Sequence, residues 1–328
     1  MYASSVLGHL AVVVENRSLR ATVLPERGGA LFELVWKPGD ADLLWRWKRG
    51  LRPPGYTPGL DLPQGNFQDH FFGGWDMMFP TVDRFEPVAP LLVGYHGEVA
   101  FLPWSWRILV DDPDEVVLEL AVRCVRTPFL VKRTLRLSND TAEFVIDTTI
   151  ENLGQVPVRY ALGEHIALSV EHLLPGALEL GAATLSTANG EASPRARVAP
   201  GQRADWPTAL LADGTRGDIS HLAADALGTS DVIGLVDLAD PTIRLVPEEK
   251  AVPPISISWD LAVMPTLLLW FGLGGDMQAP WFGTAKLLAV EPMSLLPWSD
   301  PDHLPTAAPG EPIESRLRLT VGDPGTAG

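Results

Sequence analysis

The chain has 328 residues, 46% of them hydrophobic, enough apolar material for a large core. Its 41 acidic against 25 basic residues leave a net charge of −16, which excludes the basic footprint of a nucleic-acid surface and of an anionic-membrane binder. That balance favours a neutral small molecule as ligand.

Thirty glycines and thirty prolines punctuate the chain almost evenly and leave little room for long helices. Between them run short segments with period-two alternation or β-branched enrichment. In chain order they are 10–14, 19–24, 31–36, 106–110, 116–122, 130–137, 143–151 and 156–162, then 232–236, 242–246, 255–259, 267–271, 285–291 and 315–321. The pattern predicts a large all-β chain, an antiparallel sandwich or barrel. Two short helices are expected near 219–226 and 301–307. Residues 49–64 and 188–205 read as surface loops, and neither looks like a linker. One domain over 1–328 is therefore expected, with a frayed tail at 322–328.

Cys124, the single cysteine, excludes an intrachain disulfide, and its alternating neighbours point it into a core. The N-terminus shows no basic region followed by an apolar run. The longest apolar stretch, 261–275, is too short to span a bilayer and is broken by Pro265. A cytoplasmic protein without membrane or nucleic-acid partners is the expectation.

Three stretches hold candidate proton-transfer groups. His96 falls in Tyr95-His96-Gly97, where glycine lets the backbone turn tightly. His165 falls in Gly163-Glu164-His165, in a glycine-flanked turn after a strand pair; on a strand, Glu164 would face the other way. Glu291 closes an apolar run just before Pro292, where burial raises a carboxyl's pKa and makes it a stronger base. Each also has a plain structural reading, as a backbone-bonded histidine or a salt-bridged glutamate. A facial metal triad would bring a His-x-His or His-x-Asp pair, and neither occurs. No Gly-x-Ser-x-Gly elbow is present, and Gly272-Leu273-Gly274-Gly275 reads as a turn rather than a dinucleotide loop.

In order and spacing, these stretches resemble the aldose 1-epimerase family, the galactose mutarotases, over about residues 10–321. The resemblance implies a large galactose mutarotase-type sandwich, with no cofactor and no metal, that interconverts the α and β anomers of a free aldose. It implies His96, His165 and Glu291 as catalytic groups, with His165 as acid toward the ring oxygen and Glu291 as base. Sugar-binding candidates are Asp83 and Arg84, ending the segment that contains Trp75, together with Trp104 and Asp260. One or two of Trp75, Trp104, Trp106 and Trp270 are expected at the site, since indole faces stack on sugars. His96, His165 and Glu291 should share one pocket, roughly 10 Å across. The protein would act as a monomer or homodimer on a small-molecule sugar. The alternatives are a non-catalytic carbohydrate-binding or regulatory protein of the same fold, and a hexose-6-phosphate mutarotase.

Overall fold

Alternation is clearest in the strand Phe129–Ser138. Phe129, Val131, Arg133, Leu135 and Leu137 are buried, while the residues between them are half-exposed. The computed structural model describes residues 1–55, 65–83, 93–190, 193–248 and 252–322. Strands take up more than a third of the chain, and the one α-helix among the described residues is Gly65–His70. A twelve-stranded and a nine-stranded antiparallel sheet face each other. Leu34, Ile166 and Val290 of the first meet Leu118, Phe144 and Leu317 of the second in one apolar core. Trp75 crosses the layer to Phe144 at 6.0 Å between ring centroids, and Phe79 meets Phe129 at 4.8 Å. The two sheets form a large antiparallel β-sandwich.

One apolar-looking register carries a charge. Arg133 sits at a core-facing position of Phe129–Ser138, and its Nη2 donates to Glu164 Oε1 at 2.7 Å across the layer. Trp75 Nε1 donates to the other oxygen of Glu164, also at 2.7 Å. Burial of such a pair is tolerable only because both ends are hydrogen-bonded.

Three neighbouring strands of the larger sheet position the site: Trp75–Met78, Gly163–Ser169 and Lys286–Met293. Alternate side chains go to opposite faces. Trp75, Met77, Ile166, Leu168, Leu288 and Val290 enter the inter-sheet core. The intervening residues face a second apolar layer on the outer side, where Ala167, Leu287 and Ala289 pack with Trp45, Trp47, Phe67 and Phe71. That second layer buries both faces of Gly163–Ser169, so every residue in it is buried.

The structure corrects several local expectations. His165 lies within a strand rather than in a turn. Of 156–162, only Val158–Arg159 is paired. The expected helices reduce to single 3-10 turns, Ala224–Ala226 and Pro301–His303, the second capped by Asp300 accepting from the Asp302 amide. The helix Gly65–His70 arises after a segment read as loop, of which 56–64 lie outside the described residues. Cys124 is a buried free thiol, pushed up to about 12 by burial and then by Glu98, which makes it inert. No helix among the described residues is long and apolar enough to cross a membrane.

Candidate active site

His165 stands directly opposite Asp76 in the pairing of Gly163–Ser169 with Trp75–Met78. On its other side, Gly163 pairs with Met293 and Ile166 with Val290, and the same offset sets His165 opposite Glu291. Directly opposed residues of antiparallel strands share a face. His165 Nε2 accordingly lies 3.5 Å from Glu291 Oε1. His96 arrives from a separate turn, with its ring 5.6 Å from that of His165. All three are at least 95% buried, with 4%, 4% and 5% of their surfaces exposed for His96, His165 and Glu291.

Packing holds His96 in a strained backbone conformation. Its φ is +63°, a left-handed conformation that costs an L-residue roughly 1–3 kcal/mol and persists only where the surroundings impose it. The next residue, Gly97, has φ +79° and pairs with Phe79 just past the Asp76 strand; an added Cβ would lie 2.1 Å from the Phe79 carbonyl oxygen. Tyr95 stacks on the His96 ring at 4.0 Å, and Phe67 of the helix meets it at 4.0 Å. Phe71, one helical turn on, contacts His165 at 5.1 Å.

These groups form the floor of a cleft of about 480 Å³, large enough for a monosaccharide. Trp270 and Trp281 line it, with ring centroids 5.0 Å apart, and Trp281 stacks at 4.4 Å on Trp47. Burial is the leading electrostatic effect. It pushes Glu291 up to about 8 and lowers His165 to about 4. His96 is lowered well below the ordinary histidine value, by burial first and by His165 second. Near neutral pH the His165–Glu291 pair therefore carries one proton and no net charge. A carboxylate beside an imidazolium holds the same number of protons, so the two forms interconvert without solvent.

No protein-family model matches the chain, and no curated protein sequence does. Solved structures do match over nearly its full length. A galactose mutarotase-like protein from Clostridium acetobutylicum superposes with a TM-score of 0.67 at 14% identity, covering 98% of each chain. The Slr1438 protein of Synechocystis sp. PCC 6803 gives 0.65 at 17%, covering 98% of this chain and 99% of that one. A galactose mutarotase related enzyme from Lactobacillus acidophilus gives 0.60 at 12%, covering 95% and 97%. The fold is galactose mutarotase-like. Such low identity speaks for the fold alone.

Within this galactose mutarotase-like fold, the structure gathers some sequence-predicted residues and disperses others. His96, His165, Glu291 and Asp83 line the cleft. Arg84 lies outside the described residues. Trp75 points into the inter-sheet core, fully buried, because its strand parity is opposite to that of Asp76. Trp104 is also core, donating Nε1–H to the Val99 carbonyl and packing against Gly29. Asp260 follows the last residue of Ile255–Trp259 in the other sheet, where it accepts from the Ala262 amide as a turn residue. Of the four tryptophans among which one or two were expected at the site, Trp270 lines the cleft. Sequence reading missed Phe67, Phe71, Trp281, Asp231 and Asp276. The i, i+4 spacing of Phe67 and Phe71 was the available signal for the helix face.

Proposed function

We propose that the cleft opens and re-closes the ring of an unphosphorylated aldose, acting as a mutarotase. The observation that carries this reading is the His165–Glu291 pair, 3.5 Å apart and buried on the floor of an aromatic cleft. With the pair's one proton on His165, Glu291 is the base for the anomeric hydroxyl and His165 the acid for the ring oxygen. Ring opening leaves Glu291 protonated and His165 neutral, the form that burial favours in the empty cleft. Rotation about the C1–C2 bond then presents the other face of the aldehyde, and the two groups return their protons in exchanged roles. Two protons move and no electron does, so the reaction calls for no cofactor. His96, held neutral, is suited to hydrogen-bond a sugar oxygen.

The aromatic walls suit the apolar C–H faces of a pyranose. An anionic substrate is poorly matched: the described lining contributes Asp83, Asp231 and Asp276 but neither Lys nor Arg. Asp231 is itself neutralised by Arg197 at 2.7 Å, leaving no surplus positive charge there. Polarimetry on freshly dissolved α-glucose, α-galactose and other common aldoses tests the reading. Accelerated mutarotation of at least one is expected. Binding without acceleration would instead support a non-catalytic sugar-binding protein, and acceleration of glucose 6-phosphate alone would overturn the choice of an unphosphorylated sugar.

A further inference from the structure

The strand beside His165 buries a carboxyl that the reaction above does not use. Asp76 is 1% exposed, and neither carboxyl oxygen has a hydrogen-bond partner. It stands directly opposite His165, on the same face, on the flank away from Glu291. The imidazole makes its contact with Glu291 through Nε2, while its Nδ1 is also buried and unpartnered. Cβ atoms of directly opposed residues lie about 4.5–5.5 Å apart, which sets the two side chains side by side on one face of the sheet. Three adjacent strands thus align Asp76, His165 and Glu291 in one row across the sheet.

We propose that Asp76 is a positioning residue that accepts the Nδ1 proton of His165, sets the tautomer that turns Nε2 toward Glu291 and the substrate, and stabilises the imidazolium. A lone buried imidazole resists protonation, whereas His165 must carry the shared proton to act as acid; an adjacent carboxylate supplies the missing stabilisation. The inference rests on the mutarotase reading for its kinetic consequence, and not for the Asp76–His165 coupling itself.

The surrounding charges are consistent with an ionised Asp76 at neutral pH. Burial raises its carboxyl to about 6, with Glu164 also raising it and Arg27 and Arg133 opposing. Arg27 is 5% exposed, and its Nη2 donates to the His70 carbonyl at 3.0 Å. Its Nε is unpartnered, which leaves the guanidinium able to act as countercharge to Asp76. Around His165, the titratable neighbours are Glu291 on the next strand and His96 on the turn. Phe67 of the helix, Phe71 just after it and Trp270 of the strand Thr266–Leu273 contribute rings alone.

Nitrogen-15 NMR of histidine-labelled protein tests the coupling without any sugar. At pH 7, His165 should carry its proton on Nδ1. In Asp76→Asn, the carboxamide donates where the carboxylate accepted, so the proton should move to Nε2. In the wild type, the His165 resonances should shift as Asp76 takes up its proton, near pH 6. This second readout serves if Asp76→Asn does not fold. An unchanged tautomer in the variant, or no step near pH 6 in the wild type, overturns the proposal. In polarimetry, Asp76→Asn should lower kcat by about 10²-fold with KM almost unchanged, and Asp76→Glu should recover part of the loss. A tautomer switch in a protein that turns over no aldose would leave the coupling standing and sink the mutarotase reading. Normal turnover with no switch would do the reverse.

Discussion

His165 and Glu291 face each other across neighbouring strands with Nε2 and Oε1 3.5 Å apart, in a site where burial disfavours charge on both. Each group alone would be poorly poised near neutral pH, the histidine too acidic and the carboxyl too basic. Together they hold one proton over a wide pH range, and its position decides which is acid and which is base. The titration belongs to the pair rather than to either residue.

Removing either partner should therefore abolish the exchange rather than weaken binding. Glu291→Gln preserves shape and hydrogen bonding, and His165→Asn removes the titrating ring. Each should lower kcat by about 10²–10⁴-fold, with sugar affinity by calorimetry nearly retained. Wild-type turnover in Glu291→Gln would mean that the base is elsewhere.

The pH–rate profile should follow the pair's proton count. On the alkaline side the last proton is lost as Glu291 ionises, so the rate should fall through about pH 8. On the acid side the decline should begin near pH 6, where Asp76 is protonated, and deepen toward pH 4 as His165 takes a second proton onto the pair. An alkaline limb near the ordinary histidine value would contradict this assignment.

Stability should move with pH in the direction set by the same shifts. The folded state keeps the Glu291 proton up to about 8, while an unfolded glutamate releases it near 4.5, so this group destabilises the fold increasingly as pH rises between those values. His165 acts oppositely between about 4 and 6.5, where only the unfolded state is protonated, and stability rises with pH. Of these two groups, only the glutamate contributes above pH 6.5. The melting temperature of Glu291→Gln should thus exceed that of the wild type by a margin that grows from pH 6.5 to 8. Scanning calorimetry showing a constant margin would rule this out.

Glu164 offers a control one residue from the site. It faces the core, paired with Arg133 and Trp75. Glu164→Gln leaves the Arg133 charge buried without its counter-ion, a loss of about 3–5 kcal/mol. Urea denaturation should show that loss, while turnover per folded molecule is kept.

Gly97→Ala tests the turn that delivers His96. The added methyl would collide with the Phe79 carbonyl oxygen at 2.1 Å, in a backbone conformation that L-residues avoid. The turn must shift, and with it His96. A drop in kcat/KM of at least about tenfold is expected, equivalent to about 1.4 kcal/mol, together with a lower melting temperature. Unaltered kinetics would show that the position of His96 is not critical.

Much of the fold was legible in the chain because central strands of the smaller sheet bury one face and turn the other outward: Phe129–Ser138 alternates in burial residue by residue. The same logic concealed the strand that matters most. Gly163-Glu164-His165-Ile166-Ala167 shows no period of two, because an aromatic layer covers its outer face and both sides are buried. The motifs around His96, His165 and Glu291 pointed to three chemically capable groups, residue by residue. What they could not supply was parity. Trp75 and Asp76 are neighbours in sequence, yet one enters the core and the other flanks His165, and a shift of one residue in register would exchange them. That register is set by pairing with His165, 89 positions after Asp76 along the chain, and by the Glu291 strand 126 positions further on. Local composition determined which residues could handle a proton; only the packing of distant strands decided which of them share one.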